Sequence, residues 1–250
     1  MARPVIVAGA RSPIGKMHGS LAALTAPALA GLAIRAALER AGVSGTQVDA
    51  VILGQVVQAG AGPNPARLAA AAGGIPMGVP ATTVNKLCLS GLTAIAQASQ
   101  QITTGQSEIV VAGGMESMSN APYLLPRGPR RGLRYGDTPL SDALDQDALV
   151  CGFDGISMGA ATDRYQARLG ISREDQDAFA AESHARAAAA IKEGRLAGEI
   201  IPVTVPGRKG EVTVEDDEGV RPGITPGRLA ALRPAFSENG TITAGSLRVR

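Results

Sequence analysis

A chain of 250 residues with 45% hydrophobic side chains is long enough to bury a sizeable core, as one large domain or a core domain with an insertion. A net charge of +2 gives no reason to expect a nucleic-acid partner, and two cysteines, Cys88 and Cys151, make no disulfide framework. The opening apolar run is too short for a secretory signal, and nothing reaches the roughly 18 uninterrupted apolar residues of a membrane span, so a soluble, cytoplasmic protein is expected.

The first half reads as α/β. Residues 5–10 form a short apolar run closed by Arg11-Ser12-Pro13-Ile14-Gly15, the pattern of a buried strand entering a turn. Pro27 at a helix start, apolar residues at Leu29, Leu32, Ala33, Ala36 and Ala37, and a stop at Gly42 predict the first helix. Residues 48–53 follow as a strand, 64–72 as a short helix and 81–84 as a third strand. A helix from about Cys88 to Thr104 presents Leu92, Ile95, Ala96, Ser99 and Ile102 on one face, and residues 109–114 are a fully apolar strand. Such alternation implies a mostly parallel sheet with helices on both faces.

Composition changes near residue 119. Residues 119–155 are rich in Pro, Gly, Arg and Asp without periodicity, and four arginines crowd into 127–134; a solvated loop is favoured there over a phosphate site. Helices resume at 157–169 and, behind a capping pattern at Ser172, run on to Glu193 with Gly194 as the stop. Residues 200–205 and 211–214 are expected to pair as strands. This region reads as an inserted cap rather than as part of the first sheet.

Cys88 is the candidate nucleophile. It follows the β-branched run Ala81-Thr82-Thr83-Val84 and opens an apolar helical segment. A cysteine in a helix's first turn faces the positive end of the aligned peptide dipoles, which favours thiolate, and nearby N–H groups suit a developing oxyanion. Against this stands the ordinary use of cysteine as a small buried residue.

The stretch Asn85-Lys86-Leu87-Cys88-Leu89-Ser90-Gly91, followed by Gly113-Gly114-Met115-Glu116-Ser117-Met118-Ser119-Asn120-Ala121-Pro122, resembles the thiolase family, of the acetyl-CoA acetyltransferase type. The likeness continues through residues 51–56, 62–67, 174–180, 232–236 and 240–245. A Gly-Gly-Met-Glu-Ser-Met run favours it over the related ketoacyl-synthase type of condensing enzyme. The resemblance implies a thiolase-like α/β fold with an inserted, mainly helical loop domain. Residues 1–118 would be the incomplete N-terminal core, 119–245 the CoA-binding loop domain and 246–250 a divergent tail.

It further implies that Cys88 carries the acyl group in a Claisen condensation of two acetyl-CoA to acetoacetyl-CoA, or in the reverse thiolysis of a 3-ketoacyl-CoA. Coenzyme A thioesters are then substrates, with no resident cofactor or metal. By position Arg221 matches the residue at the adenine end of CoA, and Leu149, Met158, Phe236 and Ala244 match residues lining the pantetheine channel. Ser157 stands where close bacterial relatives place a pocket histidine. The full-length form is expected to be a homo-oligomer with no membrane or nucleic-acid partner.

The chain also departs from the family. The Asn-Glu-Ala-Phe motif, the Gly-His-Pro motif and the second catalytic cysteine of the family's second half do not occur in these 250 residues. The two histidines, His18 and His184, match no catalytic position, and Cys151 reads as a small buried residue. Where the family continues Asn-Ala-Ser-Gly after Gly245, this chain reads Ser246-Leu247-Arg248-Val249-Arg250, which is expected of a truncated or frameshifted product. The alternative function is therefore a catalytically silent fragment that at most binds CoA or a partner subunit.

Overall fold

The computed structural model describes residues 3–125, 132, 135–207 and 210–247. The chain divides into two compact units, one of residues 1–148 with 199–215, the other of residues 149–198 with 216–250. The four arginines of 127–134 lie outside the described residues, as does Arg248.

The first unit is built on a three-stranded parallel sheet of β1 (Ala50–Gly54), β2 (Ala81–Val84) and β3 (Val110–Gly114), in the order β2-β1-β3. Central β1 is buried along its whole length, which is why its sequence is continuously apolar. Successive side chains of β1 point to opposite faces. Val51 and Leu53 meet Ile34 and Leu38 of helix α1 (Ala26–Ala41) and Ala66, Ala69 and Ala70 of α2 (Pro65–Ala72). Ile52 meets Ala94 and Ala98 of α3 (Ser90–Thr103) on the other face. The expected parallel sheet covered on both faces is thus present.

Local chemistry sets the helix ends. The Thr25 hydroxyl accepts the Ala28 N–H ahead of Pro27, and Gly42 ends α1 in the left-handed region at φ 64°. Asn64 caps α2 by accepting from Arg67 and ties it to β2 by donating to the Ala81 carbonyl. The outer face of α1 is covered from far along the chain. Leu29, Leu32, Ala33 and Ala36 pack with Ile201, Val203, Val205 and Val214, contributed by the antiparallel pair β6 (Val203–Gly207) and β7 (Gly210–Val214) and the residues leading into it. In the chain, β3 is followed, before β6, by the short antiparallel pair β4 (Tyr123–Leu124) and β5 (Ser141–Asp142).

Two expectations are corrected here. Residues 5–10 form no strand: no described strand lies beside them to supply a ladder, and Val5, Ile6 and Val7 are 71–85% exposed. And α3 turns its small residues, not its large ones, to the sheet. Ser90, Ala94 and Ala98 are buried, whereas Leu92 and Ile95 are exposed. The cause is close approach, for Gly54 at the end of β1 sits so near the start of α3 that a Cβ there would stand 2.5 Å from the Ser90 carbonyl carbon.

The second unit is helical. Its helices are α4 (Met158–Leu169), α5 (Arg173–Lys192) and the short α6 (Pro226–Ala230). Buried Asp163 of α4 accepts from the Thr241 and Ile242 N–H groups at 3.0 and 3.1 Å, fixing the 237–243 loop on the helix. Arg173 pairs with buried Asp177 at 2.8 Å and also donates to the Leu229 and Leu232 carbonyls, joining α5 to α6.

Candidate active site

Cys88 does not lie in the first turn of the helix. Helix α3 begins at Ser90, and Cys88 occupies the turn between β2 and α3, two residues earlier, with its side chain exposed. That turn is strained and tied down. Leu87 holds φ 50°, a left-handed conformation that a branched residue without a local polar side chain rarely adopts. The Asn85 Oδ1 accepts the Leu87 N–H at 3.0 Å. The Ser90 hydroxyl accepts from the Lys86 N–H at 2.8 Å and donates to the Leu87 carbonyl at 2.7 Å, so both of its hydrogen-bonding capacities close on the turn.

Two strands support this arrangement from below. Ser90 is itself buried against Gly54 at the end of β1. The Asn85 side chain reaches the Val56 carbonyl at 3.1 Å, and the Glu116 carboxylate after β3 accepts from the Val56 and Val57 N–H groups at 2.8 and 3.3 Å. Burial of Glu116 pushes its carboxyl above the usual range, against the pull of those two N–H donors. The three strand ends of the parallel sheet therefore meet around the cysteine turn. Sequence reading found Cys88 but missed Asn85, Ser90 and Glu116 as its framework. The two-residue step from Asn85 to Leu87, an Asx-turn spacing, was the available signal.

Leu87, Leu89, Leu92 and Ile95 around the cysteine are all exposed, so the thiol sits in an apolar surface. A cleft of about 460 Å³ in the same unit opens between the start of α1 and the Gly60-Ala61 turn; Cys88 is not among its lining residues.

The remaining candidates belong to the second unit. Ser157 caps α4, its hydroxyl accepting the Ala160 N–H at 3.2 Å. Leu149 and Met158 are about equally exposed on the two sides of the bridge between Val150 and Ser157. The Phe236 ring lies directly on Gly159, where a Cβ would overlap it, so Phe236 packs on the first turn of α4, next in sequence to Met158. Ala244 is exposed beyond the bridge of Pro234 with Thr243. Arg221 is exposed, and its backbone N–H donates to Nδ1 of buried His184 at 3.3 Å. That bond gives His184 a structural task. His18 is exposed in a left-handed turn with φ 56°, its backbone N–H held by the Ser119 hydroxyl. Cys151 is half-buried in a tight loop, where its thiol bonds the Asp154 carboxylate and, as the main cause, holds that group below the usual carboxylate range.

No described helix is long and apolar enough to cross a membrane. The model of the thiolase N-terminal domain matches residues 4–248. A probable acetyl-CoA acetyltransferase of Mycolicibacterium smegmatis is 51% identical over 243 residues, which is 97% of this chain and 62% of the relative. The acetyl-CoA acetyltransferases of Pseudomonas aeruginosa and Cupriavidus necator are each 49% identical over the same shares. The chain thus spans about three-fifths of the length of the curated relatives it matches. An α/β unit with a parallel sheet, an exposed cysteine at the sheet's strand ends and a match along nearly every residue lead to one conclusion: the chain belongs to the thiolase family.

Proposed function

We propose that this chain carries the nucleophilic part of an acetyl-CoA acetyltransferase and that Cys88 is its acyl acceptor. The observation that carries the reading is the exposed Cys88 held in a strained, hydrogen-bonded turn at the strand ends. The sulfur attacks the carbonyl carbon of an acyl-CoA thioester, the carbon–sulfur bond to CoA breaks, and CoA leaves as a thiolate that takes up the proton lost by Cys88. N–H groups at the turn and the start of α3 offset the negative charge on the carbonyl oxygen as it forms. A second acetyl-CoA, deprotonated beside its carbonyl, then attacks the acyl-cysteine to give acetoacetyl-CoA, and the reverse path is thiolysis of a 3-ketoacyl-CoA.

On this reading CoA thioesters are substrates and no resident cofactor or metal takes part. Arg221, Leu149, Ser157, Met158, Phe236 and Ala244 contribute to the CoA-binding loop domain spanning 119–245. The packing of the Phe236 ring on Gly159, the residue after Met158, supports an apolar lining at the start of α4. The full-length form works as a cytoplasmic homo-oligomer.

The second reading, a silent fragment that holds CoA or a partner subunit without turnover, draws support from one observation. Buried His184 accepts the Arg221 backbone N–H at Nδ1, a structural engagement rather than a catalytic one. One experiment separates the two. The purified chain is incubated with acetyl-CoA, its mass is followed for one acetyl addition, and acetoacetyl-CoA thiolysis is assayed alongside, with Cys88→Ala as control. Acetylation at Cys88 with turnover, both lost in Cys88→Ala, is the expected result. No acetyl on Cys88 overturns the nucleophile assignment, and acetylation without turnover selects the silent fragment.

A further inference from the structure

We infer that Asn85 and Ser90 are positioning residues for Cys88, forming a latch that holds Leu87 left-handed and thereby sets the direction of the thiol. The inference rests on the reading of Cys88 as the acyl-accepting cysteine. A leucine at φ 50° loses a backbone preference of its own and stays there only when its surroundings over-determine it. Here both polar groups of Leu87 are engaged, its N–H by Asn85 Oδ1 and its carbonyl by the Ser90 hydroxyl at 2.7 Å and the Ser90 backbone N–H at 2.9 Å, of which the hydroxyl alone also ties in the Lys86 N–H. Ser90 is buried against Gly54 and cannot swing away, and Asn85 is anchored on the Val56 carbonyl. The latch is thus mounted on the ends of β1 and β2, while Cys88, the next residue after Leu87, projects into solvent. With the latch released, Leu87 relaxes to negative φ, the Leu87–Cys88 peptide turns, and the sulfur leaves its exposed position.

The test uses the intact chain and iodoacetamide, which alkylates an accessible thiol without any acyl chemistry. Labelling of Cys88 and Cys151 is followed separately by peptide mass spectrometry. Ser90→Ala is expected to slow Cys88 about tenfold, the scale of one released strained residue, while Cys151 keeps its wild-type rate. Glycine occupies positive φ without help. Leu87→Gly is therefore expected to label at the wild-type rate and, combined with Ser90→Ala, to bring the rate back within about twofold by removing the coupling. If Ser90→Ala does not fold, Asn85→Ala at the exposed end of the latch takes its place with the same expectations. Three outcomes overturn the inference: an unchanged Cys88 rate in the latch variant, parallel changes at Cys88 and Cys151, or no restoration by Leu87→Gly. Failure of acetyl uptake with the labelling pattern intact overturns the acyl-acceptor reading and leaves the latch standing.

Discussion

Gly54 and Ser90 are packed so closely that a methyl group added to Gly54 would stand 2.5 Å from the Ser90 carbonyl carbon. Backbone at that distance cannot yield as the tip of a side chain can. Gly54→Ala is expected to cost about 3 kcal/mol through overpacking, measured by chemical denaturation. Gly91→Ala, whose added methyl would meet nothing nearer than 3.8 Å, is expected to be neutral or slightly stabilising. Equal losses from the two substitutions would sink this account of the α3 crossing.

Two carboxylates give opposite pH signatures. Asp49 accepts from the Ile109 and Glu108 N–H groups, which together hold it below its usual 3.8. Its folded pKa is depressed, so its contribution to stability is present above that usual value and is lost as pH falls through the lowered one. Asp49→Asn is expected to be less stable than wild type at neutral pH, with the gap closing in acid.

Glu116 is shifted the other way by burial, above its usual 4.5. The folded state then holds the proton more tightly, so stability is greatest below 4.5 and declines as pH rises through the raised value. Glu116→Gln is expected to remove that decline. Melting temperatures between pH 3 and pH 8, the span over which carboxylates of this kind titrate, check both signs. A Glu116→Gln curve parallel to wild type would contradict the buried-carboxylate assignment.

The second unit depends on Asp163. Replacing it by Ala leaves the Thr241 and Ile242 N–H groups without their acceptor, at a cost of about 3 kcal/mol. Asp163→Asn keeps one carbonyl oxygen and is expected to lose less. Hydrogen exchange at those two amides is the direct measure, and unchanged protection in Asp163→Ala would refute the role.

Ser157, matched by resemblance to a pocket histidine, has a plainer task as the cap of α4. Ser157→Ala is expected to cost about 1 kcal/mol, whereas Ser157→Gly costs only a few tenths. Circular dichroism melts suffice to rank them, and Gly falling below Ala would speak against the cap.

What could be read from the residues was largely what local chemistry decides. Helix α1 announced itself through Pro27, its apolar spacing and Gly42, and β1 through five successive residues suited to burial on both faces. The register of α3 was misread because spacing shows which residues share a face, not which face the sheet accepts; Gly54, far from α3 in sequence, made that choice. Residues 5–10 misled for a related reason, since an apolar run becomes a strand only where another strand lies beside it. At the site, Cys88 was legible from its motif. The left-handed Leu87 was not, because leucine gives no sign of positive φ and the latch that compels it is tertiary in part.

The packing of α1 against β6 and β7 has a consequence for the order of synthesis. Val203, Val205 and Val214 leave the ribosome long after Ala41 has completed the helix they cover. At a translation rate of about 5–20 residues per second, Leu29 and Leu32 wait roughly ten to thirty seconds for their partners. During that interval the nascent chain carries a bare hydrophobic helix face, the feature that chaperones bind. Completion of the first unit, though it holds the amino terminus, is thus a late event that must follow emergence of the segment between residues 149 and 198.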